Sequence, residues 1–332
     1  MSIHEQLIRI FEDQPQQFLS GEELSTKLNC SRTAIWKHIE RLRQEGYEFE
    51  AVSRKGYRLT SKPEKLDVQA IQNRLETKVL GRTMFYYDEV DSTQIVARER
   101  IAQGAEEGTL VIAELQTAGR GRLGRKWHSP KGKGLWMSLV LKPRIPLHFT
   151  PQLTLLIAVA LCRSLRQSTG LPIGIKWPND LLIEGKKISG ILLESSAEDE
   201  NLHYVVAGIG IGVNLAQEDY PDDELRAKAT SLAIESGKKW DRTEILCQFL
   251  KELELVYDLY HEQGFGPIKL LWEALSVSLH LTITCHTPRG QATGYAVGID
   301  DSGALSVRLP DGSMTLWYSG DIELAPAAHD SL

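Results

Sequence analysis

The chain has 332 residues, 42% of them hydrophobic and 25% charged, and a formal net charge of -6. This composition is typical of a soluble globular protein and predicts two or three domains with a sizeable core. The longest apolar stretch, residues 153–162, is too short to span a bilayer, and the first residues are amphipathic and carry acids, unlike a signal peptide. With four scattered cysteines and no CxxC, we expect a cytoplasmic protein with reduced thiols, no zinc site and no membrane partner.

Residues 1–62 read as a winged helix-turn-helix domain. An amphipathic helix comes first, and Ser20 and Ser31 are predicted N-caps of two further helices, the last of which ends at Gly46. The stretch YEFEAVSRKGYRL then alternates like two strands that turn at RKG. A helix, a turn, a helix and a basic hairpin are the parts of a winged helix-turn-helix.

The third helix and the hairpin concentrate positive charge, which predicts DNA binding. The alternative is a small helical domain that binds protein, and Trp36 is equally consistent with a base contact or partial burial. The predicted DNA-binding residues are Ser31, Arg32, Thr33, Trp36, Lys37, Arg41, Arg54 and Lys55.

A polar, proline-containing linker over residues 60–67 leads to a second predicted domain, 66–275. Its strands and helices come in runs, which indicates an α+β fold with a central sheet covered by helices on one side. Thr150 is the predicted cap of a long buried helix, Asp241 caps another, and a hairpin turn between two strands is predicted near EGKK (184–187). Residues 277–327 hold short alternating stretches separated by turns, which predict a third domain, a small SH3-like β-barrel.

Charge is unevenly distributed along the second domain. Residues 115–179 contain eleven Lys and Arg and no Asp or Glu, and six of these cations lie between Arg120 and Lys133. A loop that alternates Gly and Arg lets backbone amides approach an anion and supplies bidentate donors to phosphate or carboxylate.

The loop contains GRGRLG, but no helix follows and no acid lies about 20 residues on, so a dinucleotide fold is rejected. The Gly-Lys-Ser/Thr ending of a P-loop is missing too.

Five motifs in this domain resemble those of one known family in order and spacing. They are DSTQ (91–94), QTAGRGRLGRKW (116–127), KWPND (176–180), GKKISGILLE (185–194) and GIGIGVN (208–214). The chain resembles biotin protein ligases, and its terminal domains resemble those of the bacterial ligases that also repress biotin operons. Two positions depart from the family: Gln94 stands where Asn is common, and Leu123 where many relatives have Arg.

The resemblance implies a two-step reaction. The biotin carboxylate attacks the α-phosphate of ATP to give biotinyl-5′-adenylate and pyrophosphate, and a lysine of a carrier protein then attacks the mixed anhydride. A carboxylate and a polyphosphate repel each other, so cations and positioning should matter more than acid–base groups. The implied substrates are biotin and ATP, with Mg²⁺ as cofactor.

Residue roles follow from the resemblance. Lys187 matches the catalytic lysine, Arg120 and Asp180 complete the implied catalytic set, and Asp180 would also help to hold Mg²⁺. Asn179 and Asn214 match positions near the adenine. The implied biotin and adenylate contacts are Ser92, Thr93, Gln94, Gln116, Gly119, Arg120, Gly121, Arg122, Trp127, Lys187, Gly190, Gly208 and Gly210.

The implied partners are biotin carboxyl carrier domains, such as those of acetyl-CoA carboxylase or pyruvate carboxylase, and biotin operator DNA. The adenylate would act as corepressor by promoting a homodimer that binds the operator. Three alternatives stay open: a repressor that senses a ligand without catalysis, a lipoate-type ligase that shares the general fold, and a biotin ligase whose DNA-binding domain no longer functions.

Overall fold

A computed structural model describes residues 3–15, 17–44, 47–61, 65–198, 201–287 and 290–324. The chain divides into two compact units, 1–65 and 66–332. Three sequence predictions fall outside the described residues: the helix end at Gly46, the middle of the linker at 62–64, and the chain beyond residue 324 at the predicted end of the third domain.

The first unit has the predicted winged helix-turn-helix order. Ser20 Oγ accepts a hydrogen bond from Glu23 N and Ser31 Oγ accepts one from Ala34 N, both at 3.1 Å, so both predicted caps are present. Leu7, Ile35 and Leu42 are fully buried in its core. The elements are α1 (Ile3–Asp13), α2 (Gly21–Leu28), α3 (Arg32–Gln44), β1 (Glu48–Val52) and β2 (Gly56–Ser61).

The second unit is built on a seven-stranded mixed sheet. Its order is β3-β4-β5-β9-β8-β7-β6, and only β3 and β4 pair in parallel. A two-residue turn with Glu184 and Gly185 at positive φ joins β7 to β8, as the EGKK stretch predicts. The strands are β3 (Met84–Tyr87), β4 (Leu110–Ala113), β5 (Gly134–Leu141), β6 (Gly174–Lys176), β7 (Asp180–Ile183), β8 (Lys186–Glu198) and β9 (Asn201–Gly212).

Helices lie on both faces of this sheet, which corrects the expectation of one covered side. Leu139 and Leu141 belong to the core shared with α6, α9 and α10, whereas Val140 packs with Ala97 of α5 on the opposite face. The helices are α4 (Val68–Arg74), α5 (Thr93–Ala102), α6 (Thr150–Thr169), α7 (Asp223–Lys228), α8 (Leu232–Ser236), α9 (Arg242–Gln263) and α10 (Phe265–Leu275).

The long apolar helix α6 is a core helix. Among the described residues one segment, 147–169, is long and apolar enough to cross a membrane by length and composition alone, and it contains α6. Twelve residues of α6 are buried inside the protein. Thr150 does not cap it, because its hydroxyl donates to Leu147 O at 2.6 Å and the N-cap position is Phe149.

The C-terminal residues form a five-stranded antiparallel sheet in the order β13-β12-β11-β10-β14. Its buried residues Ile283, Leu305 and Ile322 share one core cluster with the central sheet. Because the two sheets share this core, the predicted domain boundary near residue 276 stays a prediction. The strands are β10 (Thr282–Thr287), β11 (Gly290–Ile299), β12 (Leu305–Arg308), β13 (Met314–Trp317) and β14 (Asp321–Leu324).

Candidate active site

Glycines on β8 and β9 form the floor of a cavity of about 750 Å³. Gly190 and Gly210 are direct partners across the two strands. The indole of Trp127 covers both: a Cβ at Gly210 would lie 2.3 Å from Trp127 Nε1, and one at Gly190 would lie 3.0 Å from Trp127 Cζ3. Only glycine allows this close approach of a ring to the sheet.

The start of α5 supplies a buried polar wall. Gln116 Oε1 accepts hydrogen bonds from Thr93 N at 2.9 Å and from Thr93 Oγ1 at 3.1 Å, and Gln94 Nε2 donates to Leu192 O at 2.8 Å. Ser92 Oγ and Gln94 Oε1 are buried and make no hydrogen bond with any described residue. Unpaired buried polar atoms in a cavity wall suit a ligand with both donors and acceptors.

Lys187 and Asp180 stand on neighbouring antiparallel strands and form an ion pair, with Nζ 2.7 Å from Oδ1. The distance is that of a salt bridge, yet Oδ1 accepts no hydrogen bond of normal geometry from the described residues. The Lys187 ammonium also lies 5.2 Å from the centroid of the Trp127 ring. The pair thus places one cation over the glycine floor while a carboxylate balances its charge.

The basic loop, residues 119–127, is folded back on itself. Gly121 N donates to Arg125 O at 2.7 Å and Trp127 N donates to Gly119 O at 2.9 Å. Arg122 donates to Asn179 Oδ1 at 2.9 Å, and burial lowers the pKa of its guanidinium. These contacts bring the loop's cations to the cavity.

A residue of the C-terminal sheet holds the tip of this loop. Asp321 on β14 pairs with Arg125 at 2.7 Å and with Lys176 at 3.6 Å. Burial opposes ionisation of Asp321, but Arg125 and Lys176 together hold the pKa of its carboxyl below the usual value. The cavity wall therefore includes residues from both sheets of the second unit.

Most of the predicted site residues meet at this cavity, and two do not line it. Gly119 is buried next to it, where a Cβ would lie 2.5 Å from Trp127 O. Both ends of the Asn214 amide are bonded to the Trp240 backbone at 2.9 Å, so Asn214 braces the chain outside the cavity wall. The predicted residues that do line it are Ser92, Thr93, Gln94, Gln116, Arg120, Gly121, Arg122, Trp127, Asn179, Asp180, Lys187, Gly190, Gly208 and Gly210.

The sequence did not predict several other residues of the cavity wall. Lys176 lies inside the KWPND motif and could have been found there, because its charge belongs to the acid-free segment. Asp321 and Tyr220 stand in no motif, and only the fold brings them to the cavity.

In the first unit, the predicted DNA-binding residues are all exposed. Trp36 is 52% exposed, which favours a surface role over burial. Arg54 and Lys55 stand at the turn between β1 and β2, where Arg54 has φ of 66°. The unit thus carries cations on both its third helix and its wing, the two parts that contact DNA in this motif.

Three family models match separate parts of the chain. An HTH domain matches residues 4–58, the biotin/lipoate A/B protein ligase family matches 86–214, and the biotin protein ligase C-terminal domain matches 282–325. Among solved structures, a biotin protein ligase from Aquifex aeolicus in complex with biotin and ATP superposes with a TM-score of 0.62 at 33% identity. That match covers 74% of this chain and 99% of the Aquifex chain.

Two curated relatives match nearly end to end. The bifunctional ligase/repressor BirA of Bacillus subtilis (strain 168) is 48% identical and covers 97% of this chain and 99% of its own length. The protein of the same name from Escherichia coli (strain K12) is 32% identical, with 94% of each chain covered. The motifs, the fold and these relatives together show that the chain belongs to the biotin protein ligase family, in its bifunctional ligase/repressor form.

Proposed function

We propose that this chain activates biotin with ATP, transfers it to a carrier lysine, and represses biotin genes with the adenylate as corepressor. The observation that carries the proposal is the Lys187–Asp180 pair, which stands over a glycine floor and is ringed by the basic loop. This arrangement suits the joining of two anions, since it supplies positive charge and close backbone approach.

In the first step, a biotin carboxylate oxygen forms a bond to the α-phosphorus of ATP, and the bond from that phosphorus to the β-bridging oxygen breaks. Pyrophosphate leaves with the bonding electron pair. Lys187 and Arg120 would reduce the repulsion between carboxylate and phosphate, and Lys187 acts as a fixed charge and not as a nucleophile. Ser92, Thr93 and Gln116 would orient biotin, with Trp127 packed over it.

We propose Mg²⁺ as the cofactor of this step, with Asp180 as its protein ligand. Mg²⁺ is commonly held by one or two carboxylates together with substrate phosphates. Asp180 lines the cavity beside Lys187, which fits such a contact. Among the described residues no group of three or more His, Cys, Asp or Glu could hold a metal alone, so the phosphates would complete the site. The ion would neutralise phosphate charge.

In the second step, the neutral amine of a carrier lysine forms a bond to the acyl carbon of the adenylate, AMP leaves, and the amide nitrogen loses a proton. A curated relative from Paracoccus denitrificans, 35% identical over 68% of this chain, is named for acetyl-CoA carboxylase. We propose carrier domains of acetyl-CoA carboxylase and pyruvate carboxylase as acceptors, in the cytoplasm.

The repressor half rests on the winged helix-turn-helix unit and its exposed cations. We propose that the adenylate promotes a homodimer that places two α3 helices on a palindromic operator. A sensing repressor without catalysis would not need the Lys187–Asp180 pair. A lipoate ligase would share the fold, and the family model over 86–214 does not separate the two activities.

Pyrophosphate release tests the ligase half. With Mg·ATP we expect release with biotin and none with lipoate, followed by labelling of a biotin carrier domain. Release with lipoate alone would replace the substrate assignment, and no release with either would leave the sensing repressor. A gel shift on biotin operator DNA tests the other half, and we expect it to tighten only with biotin and ATP together.

A further inference from the structure

A buried ion pair joins Glu114 to Arg242, and the proposed chemistry does not use it. Arg242 Nη1 lies 2.8 Å from Glu114 Oε2, and Nη2 lies 3.2 Å from Oε1. The side chains of Arg242 and Glu114 are 2% and 1% exposed, and neither residue lines the cavity. The guanidinium is therefore bound at two points and removed from solvent, which leaves it little freedom to turn.

The pair stands at both ends of the segment that carries the basic loop. Glu114 is the residue directly before this segment, residues 115–133, and Gly134 is the residue directly after it. Arg242 Nη1 also donates to Gly134 O at 3.0 Å, and Gly132 N donates to Glu114 O at 3.3 Å. One guanidinium at the start of α9 thus holds the chain where the segment begins and where it ends.

The Glu114 carboxylate is itself held from two further directions. Its Oε1 accepts hydrogen bonds from Leu66 N at 2.8 Å and from Tyr86 Oη at 3.1 Å. Burial, with the added charge of Glu114, raises the pKa of the Tyr86 hydroxyl, so this group stays protonated and donates at neutral pH. The carboxylate is a fixed point, and the Arg242 guanidinium is fixed against it.

Stability alone does not require an ion pair at this position. Two charges are taken out of water, and replacing a buried pair with well-packed apolar groups of similar volume is often neutral or stabilising. The charged pair adds one defined geometry, because a guanidinium and a carboxylate meet in few arrangements. A defined geometry matters here because the segment between the two ends carries six cations and no acid, and their repulsion favours an open loop.

We propose that Glu114 and Arg242 are positioning residues for the ligase reaction: they clamp the two ends of residues 115–133 and raise the population of the closed, ligand-binding loop. They act through side chains that the segment brings to the cavity, such as Arg120 and Trp127. A protein whose closed state is only partly populated binds every ligand of that state more weakly by the same fraction. This inference rests on the proposed binding of biotin and its adenylate.

The test is the double variant Glu114→Gln with Arg242→Gln in the full chain. Glutamine at 114 keeps an acceptor for Leu66 N and Tyr86 Oη, no charge is left unpaired, and the shorter glutamine at 242 loses Gly134 O. We expect the Kd of biotin and the Kd of preformed biotinyl-5′-adenylate to rise by one common factor of about three- to tenfold, the effect of one lost hydrogen bond on the loop. Calorimetry measures both constants.

Turnover separates a loop effect from a loss of chemistry. Pyrophosphate release at saturating biotin and Mg·ATP should stay within about twofold of the native rate, because saturating ligand closes the loop.

Two controls are matched to this variant. Tyr86→Phe removes one donor from the same carboxylate but leaves both ends of the segment tied to Arg242. The second control is Arg163→Gln with Glu252→Gln, a pair at 2.6 Å that joins α6 to α9 and lies outside the cavity wall. Both controls should keep the native dissociation constants, even where they lower the melting temperature.

A merely structural pair would lower the melting temperature of the double variant and leave both dissociation constants native, which would overturn the inference. A rise for one ligand only would also overturn it, because a clamp on a shared loop affects both equally. If the double variant does not fold, Arg242→Lys keeps a charge for Glu114 without a second nitrogen for Gly134 O, and the same common rise is expected. A native chain that binds neither ligand would overturn the proposed function instead.

Discussion

Lys187 and Asp180 reach each other because β7 and β8 are adjacent and antiparallel, with a register shift between Leu181 and Leu182. The pair keeps the lysine charge at one point over the floor, 5.2 Å from the Trp127 ring. A charge fixed before the substrates arrive need not reorganise during the reaction, which is how such groups lower barriers.

Lys187→Ala should therefore slow adenylation by about 10²–10³, the usual loss for one preorganised charge-stabilising group. Pyrophosphate release under saturating biotin and ATP measures this. Lys186→Ala is the control, because Lys186 is the preceding residue of the same strand and lies outside the cavity wall. A Lys187→Ala turnover within about threefold of the native chain would refute the role.

A short motif predicts which side chains contact each other when those residues are close in sequence. Lys187 and Asp180 lie seven positions apart on one hairpin, so their proximity follows from the local turn. Asn214 was expected near the adenine, but its amide is bonded to Trp240, 26 residues later. Tyr220 gave no sequence signal, because it stands in no motif and only the fold brings it to the cavity.

Among the larger elements, the basic loop and β14 are coupled through Asp321. The carboxylate is one-third exposed and pairs with two cations, one on the loop and one on β6. Since these cations lower the pKa of Asp321 below its usual value of 3.8, their contribution to stability is complete above that value and is lost as pH falls through the lowered pKa.

Asp321→Asn should accordingly lower the free energy of unfolding by about 1 kcal/mol at pH 7, as expected for a partly exposed ion pair. The difference from the native chain should persist down to about pH 4.5. Asp301→Asn is the control, because Asp301 is exposed and its pair with Lys269 is a surface contact. Thermal melts at several pH values measure both, and a difference that vanished near pH 6 would contradict the pairing.

At the wing, Arg54→Gly with Lys55→Gln should weaken operator binding without affecting ligation. Glycine removes the charge and also suits the positive φ at position 54, so the turn is preserved. The slope of log K against log salt should fall by about 1.8, because two cations no longer neutralise phosphates. Titrations at several salt concentrations measure this. Lys27→Gln, which breaks a pair with Glu23 on α2, should change neither slope nor affinity.

Elements with a clear local signal were predicted correctly, including both caps of the first unit and the turn at Glu184 and Gly185. The covering of the second sheet face was missed. The side chain of Ala97 on α5 is too small to mark a buried helix face by periodicity, and α5 carries polar residues that are buried because they line the cavity. A site on one face of a helix thus obscures its amphipathic pattern.

For the molecule as a whole, the proposal links the ligase chemistry to DNA binding through the adenylate. Lys187→Ala cannot make adenylate at a useful rate, so biotin and Mg·ATP should no longer tighten its binding to operator DNA. Supplying preformed biotinyl-5′-adenylate should restore the tightening. Gel shifts measure both conditions.

Lys186→Ala should respond to biotin and ATP as the native chain does. Tightening of Lys187→Ala by biotin and ATP in the absence of adenylate would separate repression from catalysis. The sequence suggests this link only through its resemblance to the family. The contacts that close the cavity, such as Arg125 with Asp321, join residues almost 200 positions apart, so no local sequence pattern predicts them.

The glycine floor also sets how the protein could be engineered to accept a bulkier analogue of biotin. Gly190 and Gly210 already carry the smallest side chain, so no substitution at either position can deepen the cavity. Additional room must come from the opposite side, by shortening Trp127, or from the polar wall, by shortening Gln94, which lies across Gly208. Designed substrates with their added bulk directed at Trp127 or at Gln94 are therefore the ones that a single substitution could accommodate.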